Sequence, residues 1–123
     1  MIMNFFWWLP FGKVPEIDTQ ELHARLQDRP APQIIDVRTE TEWNTGHIAG
    51  TLNVPVTELK SRLKSLPLDK QRPVVALCRS ARRSILAVRL LRAHGFDACQ
   101  LQKGMLAWRE AGLPTEGEKP SAP

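Results

Sequence analysis

Residues 73–94 read PVVALCRSARRSILAVRLLRAH, and this stretch decides how the chain is expected to fold. Residues 73–77 are a short apolar run rich in β-branched side chains, which is typical of a buried strand. Residues 81–94 place apolar side chains at helical spacing, so they predict an amphipathic helix. A cysteine and basic residues lie between the two. The stretch therefore predicts a strand, a basic loop and a helix, as in the βα units of a parallel sheet.

The same alternation of strand and helix patterns continues on both sides of this unit. Runs typical of short strands occupy residues 14–17, 33–37, 51–54 and 96–101. Helical patterns occupy residues 18–26, 39–46, 57–66 and 105–111. Strands that alternate with helices in this way predict an α/β fold with a parallel sheet.

Capping residues indicate where three of these helices begin. Asp18 or Thr19 can cap the first helix, because both side chains accept hydrogen bonds from helix N–H groups. Thr39 and Glu42 form a T-x-x-E capping box at the second. Thr57 is expected to cap the third helix.

Length and composition restrict the classes of protein to consider. The 123 residues are enough for one domain and exclude a two-domain enzyme. Lys and Arg exceed Asp and Glu by 17 to 13, but this excess is too diffuse to indicate nucleic-acid binding. No apolar run is long enough to span a membrane. Two cysteines are too few for a disulfide scaffold, so we expect a cytoplasmic protein.

The two ends of the chain differ in composition from the middle. Five of the eight aromatic residues lie in an arm at residues 1–13, and residues 115–123 read as a disordered tail. The arm has no basic residue before its apolar run and no cleavage site, so we expect it to be retained. Two roles stay open for residues 2–11. One is a peripheral contact with the inner face of a membrane, and the other is packing on the domain itself or on a second subunit.

Cys78 is the residue most clearly suited to chemistry. It follows the predicted strand directly, and the loop after it opens a helix, so several backbone N–H groups point at one spot. Arg79, Arg82 and Arg83 add positive potential, which lowers the pKa of a nearby thiol from its free value of ~8.5. We therefore expect Cys78 to act as a thiolate nucleophile, the alternative being a small buried core residue.

Cys99 has a different setting from Cys78. It lies within the strand pattern at residues 96–101 and has no basic loop beside it. We expect a packed core thiol. A role as resolving partner, or a disulfide between Cys78 and Cys99, stays open at this point.

Several short motifs accompany the Cys78 loop along the chain. They are IDVR at residues 35–38, EW at 42–43, GHIAG at 46–50, NVP at 53–55, GMLAW at 104–108 and GLP at 112–114. With these motifs in this order, residues 14–114 resemble a single-domain rhodanese, a family of sulfurtransferases. The resemblance implies a five-stranded parallel sheet with helices on both faces. It also implies that Cys78 accepts a sulfane sulfur as a persulfide, with no metal or other cofactor.

The resemblance also implies substrates. A small anionic donor such as thiosulfate would supply the sulfur, and a thiophilic acceptor such as cyanide or a thiol would remove it. Two positions depart from the family pattern, since Ala81 replaces a frequent glycine and Lys103 precedes Gly104 where paired glycines are frequent. If the residue at position 81 needs a positive φ, Ala81 would reduce turnover.

The remaining loop residues, Arg79, Ser80, Ala81, Arg82, Arg83 and Ser84, form the expected substrate-binding site. Arg79 is expected to meet the anionic donor. Ser80 and Ser84 can donate hydrogen bonds to the loop or to the persulfide, with helix capping as the alternative for Ser80.

Asp36, Arg38 and Glu42 lie outside the loop and are expected to support it. Arg83 is expected to pair with Asp36 or Glu42, which would give the buried carboxylate a partner. Arg38 lies close to the active loop in the family and is expected to steer anions. His47 is expected to make local structural hydrogen bonds.

Two other functions are alternatives to sulfur transfer. A rhodanese-like fold can serve as a non-catalytic binding or sulfur-carrier module, although the presence of Cys78 favours a working site. A phosphatase or arsenate reductase-like enzyme of the C-x5-R type needs an arginine six residues after its cysteine, and this position is Ser84. The phosphatase reading is therefore the less favoured.

Overall fold

A computed structural model describes residues 14–117 and contains five strands and five α-helices in that part of the chain. The strands are Glu16–Ile17 (β1), Gln33–Asp36 (β2), Leu52–Asn53 (β3), Val74–Leu77 (β4) and Ala98–Leu101 (β5). The helices are Thr19–Arg25 (α1), Glu40–Trp43 (α2), Val56–Arg62 (α3), Arg82–Ala93 (α4) and Gly104–Glu110 (α5), with a 3-10 turn at Leu63–Ser65. No helix among these is long and apolar enough to cross a membrane.

The strands form one sheet in the order β1-β5-β4-β2-β3, and every neighbouring pair is parallel. The central strand β4 is buried along its whole length, which explains its continuous apolar run. Its register aligns Leu77 with Asp36 of β2, so both strands end at the same edge. The five-stranded parallel sheet inferred from the sequence is confirmed.

Helices cover both faces of the sheet, as expected. On one face, Val74 and Ala76 of β4 pack in a core with side chains of α3 and α4. On the other face, Val75 and Leu77 pack with side chains of α1 and α5. The alternation follows from the two-residue period of a strand. Each fully buried valine or leucine side chain stabilises the fold by roughly 1.5–3 kcal/mol relative to an exposed one.

Two of the predicted helix starts are confirmed and one is wrong. Asp18 caps α1 by accepting from the Glu21 N–H at 2.8 Å, and Thr39 forms the capping box of α2 with Glu42. Thr57 does not cap α3, because the helix already begins at Val56 with Pro55 at the cap position. Proline fits there because its φ is preset and it has no N–H that needs an acceptor.

Several predicted boundaries also need correction. β1 begins at Glu16, β3 is restricted to Leu52–Asn53, β5 begins at Ala98, α2 ends at Trp43, α4 begins at Arg82 and α5 spans Gly104–Glu110. The strands are shorter than their apolar runs because residues beyond the sheet edge remain apolar where they enter the core. Val14, for example, packs in the α3/α4 core without belonging to a strand.

The predicted disordered tail is wrong for its first residues. Glu116 pairs with His47 in an antiparallel bridge, with N–H to oxygen distances of 3.0 and 2.8 Å in the two directions. His47 also contacts the carbonyl of Trp43 through Nδ1 at 3.0 Å and stacks on the Trp43 ring. These local contacts agree with the structural role expected for His47. Residues 1–13 and 118–123, and the predictions made for them, lie outside the described residues.

Candidate active site

Cys78 lies at the carboxyl edge of the sheet, directly after β4. Its side chain is 1% exposed and packs against the α3/α4 core. The Sγ atom is 3.5 Å from the hydroxyl oxygen of Ser84, and the thiol is free. This is the position at which parallel α/β sheets place their ligands.

The loop after Cys78 presents unused backbone donors. Within residues 14–117 the backbone N–H groups of residues 79–84 find no acceptor, and the cap residue of α4, Ala81, supplies no side-chain hydrogen bond. Ser80 therefore does not cap the helix, which removes the alternative role considered for it. A cluster of N–H groups at the start of a helix attracts anions. The loop can thus hold a negatively charged sulfur compound beside Cys78.

Helix α5 holds this loop in position. The N–H groups of Met105 and Leu106 donate to the carbonyl oxygens of Cys78 and Arg79 at 2.9 and 3.0 Å. Because N–H and C=O point in opposite directions across a trans peptide, these bonds turn the next N–H groups away from α5. Gly104 permits the close approach, since a Cβ there would collide with the Cys78 carbonyl oxygen and lie 2.7 Å from that of Ser80.

Arg83 joins the loop to helix α2 through Glu42. Its two terminal nitrogens lie 2.6 and 2.9 Å from the two carboxylate oxygens, so the pair is bidentate. The hydrogen bond from Arg83, against some desolvation, lowers the pKa of Glu42 to about 2. The same hydrogen bond raises the pKa of Arg83 above its usual value. Of the two carboxylates predicted as partners of Arg83, the structure places Glu42 in contact.

Asp36 takes Arg38 as its partner instead. The Arg38 guanidinium lies 2.8–3.1 Å from both carboxylate oxygens and also donates to the carbonyls of Glu42 and Gly46. Asp36 and Arg38 are 0% and 2% exposed. The expectation that Arg38 steers anions is therefore wrong, because its charge is neutralised by Asp36 and buried beneath α2. Arg38 holds the α2 segment on the end of β2.

Ser84 makes a second polar contact that the sequence did not reveal. Its hydroxyl lies 2.6 Å from Oε1 of Gln100 in β5, and the Gln100 amide nitrogen lies 2.7 Å from a carboxylate oxygen of Glu16 in β1. Gln100 is 3% exposed. A glutamine inside an otherwise apolar strand was the available signal, since a buried amide needs polar partners.

Cys99 lies on the other face of the sheet from Cys78. It pairs in register with Val75, whose side chain faces the α1/α5 core, whereas Cys78 belongs to the α3/α4 core. Burial raises the pKa of Cys99 to about 12, with a further contribution from Asp97. The structure thus excludes a disulfide with Cys78 within this fold, and Cys99 is a core thiol.

Two cavities lie at opposite ends of the sheet. One of about 190 Å³ adjoins the loop and is lined in part by Arg79, Glu42 and Arg109. The other, of about 690 Å³, is mostly apolar and is lined in part by Gln33 and Trp108, with no contribution from the Cys78 loop. Cys78 and the free N–H groups of its loop lie at the first end, which is therefore the candidate site.

Comparison with known families agrees with this geometry. The family model described as the Rhodanese-like domain matches residues 18–111, which is most of the chain. The chain belongs to the rhodanese-like family.

Proteins similar to this rhodanese-like chain differ in length and in the function that their names give. A protein of Allochromatium vinosum named a sulfurtransferase is 36% identical over 102 residues, covering 82% of this chain and 94% of that protein. An HTH-type transcriptional regulator of Mycobacterium tuberculosis is 43% identical over 111 residues, covering 89% of this chain. This chain spans about half the length of that regulator, 48%. A solution structure of a rhodanese-like domain from Anabaena has a TM-score of 0.77 at 34% identity, covering 90% of this chain and 88% of that domain.

The two departures from the rhodanese pattern have different structural consequences. Ala81 has a φ of −160°, outside the positive-φ region that favours glycine, so this position does not need a glycine for a left-handed backbone. Lys103 has a φ of 59°, in the left-handed region that favours glycine. A non-glycine residue there costs roughly 1–2 kcal/mol. The free-energy cost of departing from the family pattern therefore arises at Lys103, before α5, and not in the Cys78 loop.

Proposed function

We propose that this protein is a thiosulfate sulfurtransferase in which Cys78 carries the transferred sulfur as a persulfide. Membership of the rhodanese-like family and the relative named a sulfurtransferase support sulfur transfer in general. The observation that carries the proposal is the cluster of unused N–H groups at residues 79–84 around the Cys78 thiol. Arg79 and Arg82 are exposed beside it and supply positive charge.

In the first half-reaction, the Cys78 thiolate attacks the outer sulfur of thiosulfate. A bond forms between Sγ and that sulfur, and the sulfur–sulfur bond of thiosulfate breaks with its electron pair leaving on sulfite. The products are the Cys78 persulfide anion and sulfite, so charge is conserved. The loop N–H groups are placed to stabilise negative charge on the sulfur being transferred.

In the second half-reaction, a thiophile such as cyanide attacks the outer sulfur of the persulfide. The new carbon–sulfur bond forms as the bond to Sγ breaks, which gives thiocyanate and regenerates the Cys78 thiolate. A thiol can take the place of cyanide. The sequence of steps needs no cofactor, because Cys78 itself serves as the sulfur carrier.

We also propose a cytoplasmic setting. Both cysteines are free thiols, as expected in a reducing compartment. For residues 2–11 we retain two alternatives, a contact with the inner membrane face and self-association. The physiological donor and acceptor are a small sulfur anion and a thiophile.

A non-catalytic module is the second candidate function. Its support is the Mycobacterium tuberculosis relative, which is named a transcriptional regulator and matches this chain over about half its own length. In such a role the domain would bind a ligand or carry sulfur without turnover.

A thiocyanate assay separates the two functions. We expect cyanide-dependent thiocyanate formation from thiosulfate, its loss in Cys78→Ser, and little change in Cys99→Ser, the matched control on the other face. A panel of thiosulfate, 3-mercaptopyruvate and glutathione persulfide would rank the donors, and Arg79 favours thiosulfate over 3-mercaptopyruvate. Equal activity of the wild type and Cys78→Ser would refute the sulfurtransferase proposal.

A further inference from the structure

Three neighbouring groups compete for the one proton of the Ser84 hydroxyl. Its hydroxyl oxygen is 3.5 Å from Cys78 Sγ and 2.6 Å from Gln100 Oε1, and the carbonyl of Ala81 lies 3.0 Å away. Cys78 and Ser84 are 1% and 0% exposed. A serine hydroxyl donates one hydrogen bond and accepts others. The direction of that single donation decides whether Cys78 faces a proton or a lone pair.

Glu16 determines which end of the Gln100 amide faces Ser84. A carboxylate only accepts hydrogen bonds, so the NH₂ group of Gln100 must face Glu16, at 2.7 Å. The amide oxygen is then left for Ser84, whose hydroxyl donates to it. The thiol of Cys78 in turn donates to the Ser84 oxygen. Donation therefore runs in one direction, from the thiol through the hydroxyl and the amide to the carboxylate.

We propose that Gln100, oriented by Glu16, is a positioning residue that keeps the Ser84 proton away from Cys78 and so holds the resting cysteine as a thiol. When Sγ becomes negative, the Ser84 hydroxyl must turn from Gln100 to the sulfur. Gln100 thus sets how readily the thiolate forms. Its influence on turnover rests on the proposed sulfurtransferase function, whereas its influence on the resting thiol does not.

Other charged groups near Cys78 remain the same in the variants that test this. Arg79, Arg82 and Arg83 lie in the loop, and Arg83 interacts electrostatically with Cys78 and with Asp36 of β2. Asp36 is paired with Arg38, and Arg83 with Glu42. A difference between variants at Gln100 therefore reports the hydrogen bond rather than a change in these charges.

The test is an ultraviolet titration of the thiolate in the full-length chain. The chain has no tyrosine to absorb beside the thiolate, and burial raises the pKa of Cys99 to about 12. Subtracting the same variant with Cys78→Ser isolates Cys78. In Gln100→Met, Ser84 loses its shortest hydrogen bond and its proton is left to the Ala81 carbonyl and the sulfur, so a thiolate can capture it more readily and we expect the titration midpoint to fall by about one pH unit.

A second variant acts from the protein surface, which protects the test against misfolding. Glu16 is exposed, and in Glu16→Lys the ammonium group only donates, so it attracts the amide oxygen of Gln100. The NH₂ group then faces Ser84 and directs the hydroxyl proton to Cys78. We expect the midpoint to fall in this variant too. Thermal unfolding shows which variants are folded. If Gln100→Met unfolds, Glu16→Lys decides together with a Ser84→Ala background, where a fall caused by the new charge alone would persist and a fall caused through Ser84 would vanish.

Two controls separate this role from a structural one. Gln33→Met changes a glutamine of β2 that bonds the Asp69 backbone, far from the loop, and should leave the midpoint unchanged. Gln100→Met should have no effect in a Ser84→Ala background, because Gln100 acts only through Ser84. An unmoved midpoint in the folded variants, or an equal shift without Ser84, would overturn the proposal. Because the titration needs no sulfur donor, a shift without sulfur transfer would refute only the sulfurtransferase function.

Discussion

Glu42 is the residue on which the shape of the Cys78 loop most directly depends. Its carboxylate accepts from the Thr39 N–H in the capping box of α2 and also takes both terminal nitrogens of Arg83. Arg83 lies in the first turn of α4, next to the free N–H groups of the loop. One side chain thus connects the short helix after β2 to the loop after β4.

Replacing Glu42 by Gln tests this connection. We expect Glu42→Gln to lower the free energy of unfolding by about 1–2 kcal/mol at pH 7, since the partners are 30% and 32% exposed and solvent weakens the pair. Urea unfolding would measure the change. Glu58→Gln is the matched control, because Glu58 pairs with Arg62 on the exposed surface of α3.

The same pair predicts a pH dependence of stability. The pKa of Glu42 is lowered from 4.5 to about 2 in the folded chain, so its stabilisation is complete above pH 4.5. It is lost progressively as the pH falls from 4.5 to about 2. The difference in unfolding free energy between wild type and Glu42→Gln should therefore shrink at pH 3. An undiminished difference there would contradict the assignment.

At the scale of elements, α5 positions the Cys78 loop through contacts of its backbone. Its first N–H groups bind the Cys78 and Arg79 carbonyls, and Gly104 allows the helix to approach. We expect Gly104→Ala to lower the free energy of unfolding by about 2–4 kcal/mol and to reduce sulfur transfer more than tenfold. Denaturant unfolding and the thiocyanate assay would measure both.

Gly112 offers a control for this substitution. Its φ is +71° against +55° for Gly104, but a Cβ there would meet no atom within 4 Å. Gly112→Ala should therefore show only the backbone cost, about 1 kcal/mol, and retain activity. If both alanine variants lose activity equally, contact between α5 and the loop is not what shapes the site.

Local patterns in the sequence are sufficient to predict the helices and strands but not the contacts between them. The apolar run of β4, the helical spacing of α4 and the Thr39 capping box are local signals, and each was predicted. The contact from Ser84 to Gln100 depends on the register of β4 and β5, which spacing along the chain does not reveal. The expected role of Arg38 in steering anions is wrong because the sequence pattern of an arginine after a strand is the same whether its side chain faces solvent or a buried carboxylate.

At the scale of the whole molecule, the parallel order of the strands gathers the chemistry at one edge. The ends of β2 and β4 bring Asp36 and Cys78 there, while the apolar cavity beside Gln33 lies at the other end. All residues with a proposed role in sulfur transfer lie within residues 14–117. We therefore expect the aromatic arm at residues 1–13 to affect where the protein acts rather than how it transfers sulfur.

Removing the arm tests whether sulfur transfer is independent of it. A chain without residues 1–12 should keep its rate of thiocyanate formation, because the Cys78 loop, Glu42 and α5, which form the proposed site, all lie within residues 14–117. Liposome flotation and sedimentation of both chains would show whether the arm binds membranes or joins subunits. Loss of sulfur transfer on truncation would contradict the assignment of the chemistry to residues 14–114.

Intact-protein mass spectrometry after incubation with thiosulfate shows whether Cys78 carries the transferred sulfur. We expect the wild type and Cys99→Ser to gain the mass of one sulfur atom, and cyanide to remove it. Fragmentation should locate the added sulfur on Cys78, and Cys78→Ser should gain nothing. A chain that never gains sulfur, or that gains it equally in Cys78→Ser, would contradict the account.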